Sequence, residues 1–302
     1  MAGGNNILLE SGTNELEILI FKVDKGYYGI NIAKVKEIIN YCDITEIPNV
    51  HPCISGLIKP RESIIIAINL PKYLNLPLNQ PVDKSFFIIT HFNKVTMAFQ
   101  VSSVVGIKRL SWEDIEKPPT DIYGGVDSSI SGIVKNTDNI ITILDFEKII
   151  FDISPKSGIQ ASEIQKLGPR KERDTPILIA EDSQMLVKVL EESIRSAGYN
   201  NLTIATNGKE AWDLLENAKK EKGKNIKDAF SCVITDIEMP QMDGHHLTKR
   251  IKEDSILKEI PVIIFSSLIS EEMIKKGKSI GADAQITKPE ICKLVDIIDE
   301  LI

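Results

Sequence analysis

The chain has 302 residues, 42% of them hydrophobic, with 36 Lys and Arg against 43 Asp and Glu, giving a formal net charge of −7. That length allows two domains with a large core, and the acidic balance argues against a nucleic-acid-binding surface. Its four cysteines form no CxxC pair, no apolar run approaches the roughly 18 residues of a membrane span, and residues 1–6 lack the basic start of a signal peptide, so a reducing cytoplasm is expected, without membrane insertion.

The first half is strand-rich. Glu17–Phe21 and Gly26–Ile30 read as a hairpin turning near Asp24-Lys25, and Phe86–Thr90 and Val95–Phe99 as another around Asn93-Lys94. Lys59-Pro60-Arg61-Glu62 lies between apolar runs and reads as an exposed turn. An internal repeat runs through this half. Ile54-Ser55-Gly56-Leu57-Ile58-Lys59 matches Ile130-Ser131-Gly132-Ile133-Val134-Lys135, each is followed by Ile64-Ile65 or Ile140-Ile141, and Lys72 then corresponds to Lys148. Such self-similarity reports architecture, here two similar β subdomains. The expected division is a domain over residues 1–155, a Pro/Gly-containing charged linker over 156–174 with a short helical turn near Ala161–Leu167, and a second domain over 175–302.

The second half alternates buried strands with helix-period segments. Leu186, Leu190 and Ile194 mark the first helix, with Gly198 at its C-terminal end. Asn207 caps the next, with Glu210 placed for a capping box. Leu247 and Ile251, Met273, Ile274 and Ile280, and Ile291 to Ile298 mark three more. Five strands and five helices predict a doubly wound α/β fold on a five-stranded parallel sheet. His245 and His246, adjacent at a helix start, read as surface residues. Cys232 and Cys292, in apolar runs, read as core.

Five polar residues stand where apolar runs end: Glu181 and Asp182, Asp236, Ser266 and Lys288. In an open α/β sheet the strand carboxyl ends form the ligand crevice, so three carboxylates, a hydroxyl and an ammonium converge. That set suits Mg²⁺ and a phosphoryl group held on an aspartate. Asp182, Asp236 and the backbone carbonyl near Glu238 are the candidate ligands, with Glu181 bound directly or through water. Lys288 neutralises phosphoryl oxygen and Ser266 hydrogen-bonds another.

Ile179-Ala180-Glu181-Asp182-Ser183, Asp236-Ile237-Glu238-Met239-Pro240-Gln241-Met242-Asp243-Gly244, Ser266-Ser267 and Lys288-Pro289 together resemble the receiver domain of response regulators. The resemblance implies a flavodoxin-like fold and makes Asp236 the phosphoacceptor, Glu181 and Asp182 the acidic metal pair, Ser266 the switch hydroxyl and Lys288 the phosphate-sensing lysine. Three residues before the lysine, where many receivers carry Tyr or Phe, this chain has Gln285. That departure points away from an aromatic switch.

The first half has no nucleophile elbow, glycine-rich phosphate loop or metal motif. Tyr28–Ile32, Val35–Ile39, Ile47-Pro48-Asn49, Gly56-Leu57-Ile58, Arg61, Ile64–Leu70 and Gly132–Asp145 resemble the CheW coupling proteins. The resemblance implies an all-β pair of small barrels that joins chemoreceptor cytoplasmic tips to the histidine kinase CheA. It makes Val35, Glu37 and Arg61 partner-binding candidates. Val35 could equally be core, and Glu37 and Arg61 a solvated charged face. Glu62 stands where the family has glycine. A coupling domain ahead of a receiver resembles the CheV family, which implies a phosphorylatable scaffold at receptor arrays rather than a dedicated enzyme. The alternative is a phosphate sink whose phosphorylation leaves coupling unchanged. An effector acting on DNA or as an enzyme is disfavoured, since the chain ends after its fifth receiver helix.

Overall fold

The computed structural model describes residues 14–77, 81–93, 95–116, 129–135, 139–154, 171–268, 271–288 and 290–302. The helical turn expected near 161–167 lies outside them. The first half contains β1 (Glu15–Val23), β2 (Gly26–Asn31), β3 (Val35–Asn40), β4 (Ile54–Ile58), β5 (Ile65–Asn69), α1 (Leu70–Tyr73), β6 (Phe86–Phe92), β7 (Val95–Val101), β8 (Ser103–Ser111), β9 (Ile130–Lys135), β10 (Ile140–Leu144) and α2 (Phe146–Ile153). Both expected hairpins form. Asp24 and Asn93 take their turns at φ 53° and 50°, a conformation short polar side chains tolerate.

The strands make two five-stranded sheets, β8-β1-β2-β10-β9 and β3-β6-β7-β5-β4. In each, a hairpin from the sequence repeat is added in parallel to a longer hairpin: β10 to β2, and β5 to β7. A two-bond bridge then closes each sheet. Leu57 exchanges backbone hydrogen bonds of 2.8 Å with Thr45, and Ile133 exchanges bonds of 2.9 Å with Glu116. Leu57 and Ile133 hold the same place in the repeat, so the repeat marks the seam of each barrel. The preceding residue must be glycine. A Cβ on Gly56 would lie 2.2 Å from the Thr45 carbonyl oxygen at φ +144°, and one on Gly132 would lie 2.3 Å from the Ile115 side chain.

β1 is buried on both faces. Ile18 and Ile20 fill the first barrel with Trp112 and Ile141, whereas Leu19, Phe21 and Val23 pack with Ile88, Phe99 and Phe146 between the barrels. α2 lays Phe146, Ile149, Ile150 and Ile153 into that shared layer. Each such side chain contributes roughly 1.5–3 kcal/mol of burial. The start of α2 is therefore fixed, and Asp145 caps it by accepting from the Lys148 amide at 2.9 Å.

The second half contains β11 (Ile177–Ala180), α3 (Gln184–Ser196), β12 (Leu202–Ala205), α4 (Gly208–Lys222), β13 (Cys232–Thr235), α5 (Gly244–Glu253), β14 (Val262–Ser266), α6 (Glu271–Ser279), β15 (Ala284–Thr287) and α7 (Ile291–Leu301). All five strands are parallel, in the order β12-β11-β13-β14-β15. Period-two burial divides the core. Ile177, Ile179 and Ile234 face α3 and α7, whereas Leu178, Ala180 and Val233 face α4 and α5. Among the described residues, no helix is long and apolar enough to cross a membrane.

Two local readings need correction. Glu210 reaches back to the Thr206 amide at 2.7 Å rather than to that of the cap residue Asn207, which itself accepts from the Glu210 amide. His245 is 2% exposed instead of on the surface; it lines a cavity to which Leu16 and Trp112 of the first half also contribute. Burial pushes its imidazole down to about 3, so the ring stays neutral.

The barrel seam carries a testable cost. Gly56→Ala should destabilise by about 2–4 kcal/mol in denaturant unfolding, since backbone must move to admit the methyl. Gly106→Ala should cost less, because φ there is also positive (+156°) but a Cβ would meet nothing within 4 Å. Equal losses would mean that conformation alone, not the seam, sets the requirement.

Candidate functional site

The ends of β11, β13, β14 and β15 bring together the residues that the sequence singles out. Asp236 follows β13, and its Oδ1 accepts from the Ile237 amide at 2.6 Å. The chain then folds back tightly. A Cβ on Gly244 would lie 1.8 Å from the Asp236 carbonyl oxygen, so glycine alone fits there. Asp243 caps α5 by accepting from the His246 amide, and Met239 and Met242 anchor the intervening loop in the core. Lys288, 1% exposed, points its Nζ between Glu181 Oε2 at 2.8 Å and Asp236 Oδ2 at 3.1 Å. Ser266 is fully buried, its Oγ accepting from the Leu268 amide at 3.4 Å.

Glu181, Asp182 and Asp236 each offer an oxygen, and these oxygens lie within 4.8 Å of one another. Burial first, then mutual repulsion, raises the Asp182 carboxyl well above the usual range, and burial with Asp236 nearby raises Glu181 to about 8. Three hard oxygen donors that resist sharing negative charge fit a divalent cation such as Mg²⁺. Burial alone would lower the Lys288 ammonium, but Asp236, Glu181 and Glu147 hold it protonated. Glu238 lines the same cavity, and its carboxylate turns toward the first half of the chain.

That turn exposes what the sequence reading missed. The cavity, about 60 Å³, is walled on one side by Asn31, Lys34, Asp145 and Glu147. Lys34 Nζ lies 2.5 Å from Glu238 and 3.2 Å from Glu147, Asn31 donates to Glu238 at 2.9 Å, and the Ser267 hydroxyl donates to Glu147. One signal was available. Where the second copy of the repeat has Asp145 and Glu147, the first has Asn69 and Pro71. The copies diverge in charge where the second meets the cavity.

The comparisons agree with this architecture. Residues 17–154 match the CheW-like domain, and residues 177–299 match the response regulator receiver domain. Chemotaxis protein CheV3 of Helicobacter pylori is 30% identical over 96% of this chain and 95% of its own length. The chain belongs to the CheV family. Chemotaxis protein CheV2 of the same organism is 29% identical over 94% of each chain, and chemotaxis protein CheW of Thermotoga maritima is 28% identical over 50% of this chain and 98% of its own. This CheV-family chain is thus a CheW-like coupling-type domain fused to a receiver.

The three partner-binding candidates of this scaffold lie apart from the carboxylate cluster. Glu37 and Arg61 pair at 3.0 Å on the surface, Arg61 with 78% of its side chain exposed. Val35 is half-buried against the layer between the barrels. Gln285 is half-buried and ties β15 to α6 by donating to the Ile274 carbonyl at 2.8 Å.

The raised carboxyls set a pH dependence. Above the ordinary carboxylate range and up to about pH 8, the folded chain binds more protons at Glu181 and Asp182 than the unfolded chain does. Metal-free stability should therefore fall as pH rises through that window. Glu147 is shifted down by Lys288 and Lys34 despite its burial, and its contribution is complete by pH 5.5. Mg²⁺ should raise Tm more at pH 8, where its stabilisation reaches up to about 2.7 kcal/mol at a hundredfold excess over Kd, than at pH 5.5. Asp182→Asn should remove most of the difference. Equal shifts at both pH values would contradict the metal assignment.

Proposed function

We propose that the chain couples chemoreceptor tips to the histidine kinase CheA at receptor arrays, and that its receiver accepts a phosphoryl group from the CheA phosphohistidine on Asp236. The observation that carries this reading is the buried Lys288 ammonium beside Asp236, Glu181 and Asp182, in a chain whose other half is a coupling domain. In the transfer, the donor N–P bond breaks, a bond forms between phosphorus and an Asp236 carboxylate oxygen, and the leaving imidazole takes a proton. Glu181, Asp182, Asp236 and the Glu238 backbone carbonyl are the groups that would hold Mg²⁺. A bound cation supplies charge neutralisation for the phosphoryl oxygens. Lys288 holds another oxygen as a point charge, and the Ser266 hydroxyl follows the phosphoryl group.

Asp236→Asn should abolish labelling by phosphorylated CheA, and Lys288→Ala should retain labelling while losing the response of receptor-dependent kinase activity. Labelling that survives in Asp236→Asn would place the acceptor elsewhere. The same variant, in reconstituted arrays without another receiver, separates regulated coupling from a pure phosphate sink, which predicts unchanged kinase activity.

Ile64, three residues after Arg61 in the chain, is 68% exposed, and an exposed apolar side chain this close in the chain to the Glu37–Arg61 pair supports this stretch as a partner contact. An exposed pair contributes little to stability. Arg61→Glu should leave unfolding free energy within about 0.5 kcal/mol of the parent. It should weaken pull-down of CheA or receptor fragments by tenfold or so. Unchanged binding to both would remove Arg61 from the interface.

A further inference from the structure

The wall that Glu147 and Lys34 build is the least expected part of the site. Glu147 reaches from the first turn of α2 into the receiver. Its Oε1 accepts from the Ser267 hydroxyl and from Lys34 Nζ, and its Oε2 lies 3.9 Å from Lys288 Nζ. Farther out, Asn14 donates to the Gln241 carbonyl at 2.8 Å and accepts from the Asp243 amide at 3.0 Å, while the Gln241 amide donates to the Trp112 carbonyl at 3.2 Å. In this arrangement Asp236 is 5% exposed and Lys34 8%. The remaining space of about 60 Å³ takes a few waters and not the side chain of a donor protein.

A phosphoryl group on Asp236 would bring negative charge beside Glu147 and Glu238 and compete with Glu147 for Lys288 and Ser267. In a water-poor cavity that repulsion is weakly screened. We propose that this contact is a latch: the coupling domain docks on the phosphorylation face through Glu147 and Lys34, docking and phosphorylation exclude one another, and phosphorylation drives the domains apart, uncovering Asn31 and Lys34 of the coupling domain. The latch rests on Asp236 being the phosphoacceptor. If only the undocked fraction reacts, labelling is slowed by that fraction, and reciprocally the phosphoryl group disfavours docking.

Removing Glu147 orphans no cation. Lys34 keeps Glu238, and Lys288 keeps Glu181 and Asp236. Asn14→Gly offers an independent route: the backbone there has φ 59°, which glycine accepts, and Asn14 touches none of the carboxylate cluster.

The test uses the full chain, Mg²⁺ and phosphoramidate. Its P–N bond breaks, an Asp236 O–P bond forms, and ammonia leaves after the nitrogen is protonated. Initial labelling should rise about tenfold in Glu147→Ala and in Asn14→Gly, each destabilising docking without touching Asp236, and less in Glu147→Gln. Parental rates in both Glu147→Ala and Asn14→Gly overturn the latch. Acceleration in Glu147→Ala alone also overturns it, since Glu147 would then act on the site locally and not through docking. Absence of label from Asp236 in every variant, the parent included, overturns the phosphoacceptor reading and the latch with it.

Discussion

An ammonium cut off from water organises this molecule. A charge buried to the degree of Lys288 costs too much unless carboxylates surround it. Two of those carboxylates, Glu181 and Asp236, come from neighbouring strand ends of the receiver, and a third, Glu147, comes from the coupling domain. Lys34 mirrors the arrangement from the other side, paired with Glu238 of the receiver and with Glu147 of its own domain. Two lysines and their carboxylates thus tie the two folds together at the one place where chemistry is expected.

The surrounding scaffold makes that placement possible. β1 is apolar on both faces because it serves the first barrel and the layer shared with the second. α2 is pressed into that layer by four apolar side chains and capped by Asp145, so Glu147 leaves its first turn in a fixed direction. On the receiver side, the tight return at Gly244 holds the loop after β13 against Asp236 and presents Glu238 to Lys34. Among the described residues, the buried charged side chains Lys34, Glu181, Asp236, Asp243 and Lys288 all gather at the seam between the domains.

How much of this was legible in the sequence follows from the range of the interactions involved. The five strand-end residues were readable because short apolar runs mark parallel strands and their ends share one edge of the sheet. The repeat was readable too, although its meaning as the closing seam of each barrel needed the Thr45–Leu57 and Glu116–Ile133 bridges. His245 was misread because helical position alone cannot say which tertiary packing covers that face. Lys34 and Glu147 were invisible for the same reason: their partners Glu238, Ser267 and Lys288 lie more than a hundred residues away in the chain, and no local period encodes a docking contact. The divergence between Asn69-Leu70-Pro71 and Asp145-Phe146-Glu147 was the one local hint.

The central claim is that charge at Asp236 and contact between the domains compete for the same cations. Small-angle scattering tests it most directly, by comparing the radius of gyration of the full chain in Mg²⁺ with and without beryllofluoride as a phosphoryl mimic. The account predicts a compact particle that expands on adding the mimic, with no expansion in Asp236→Asn. An unchanged radius in the parent, under conditions where beryllofluoride is bound, would contradict it.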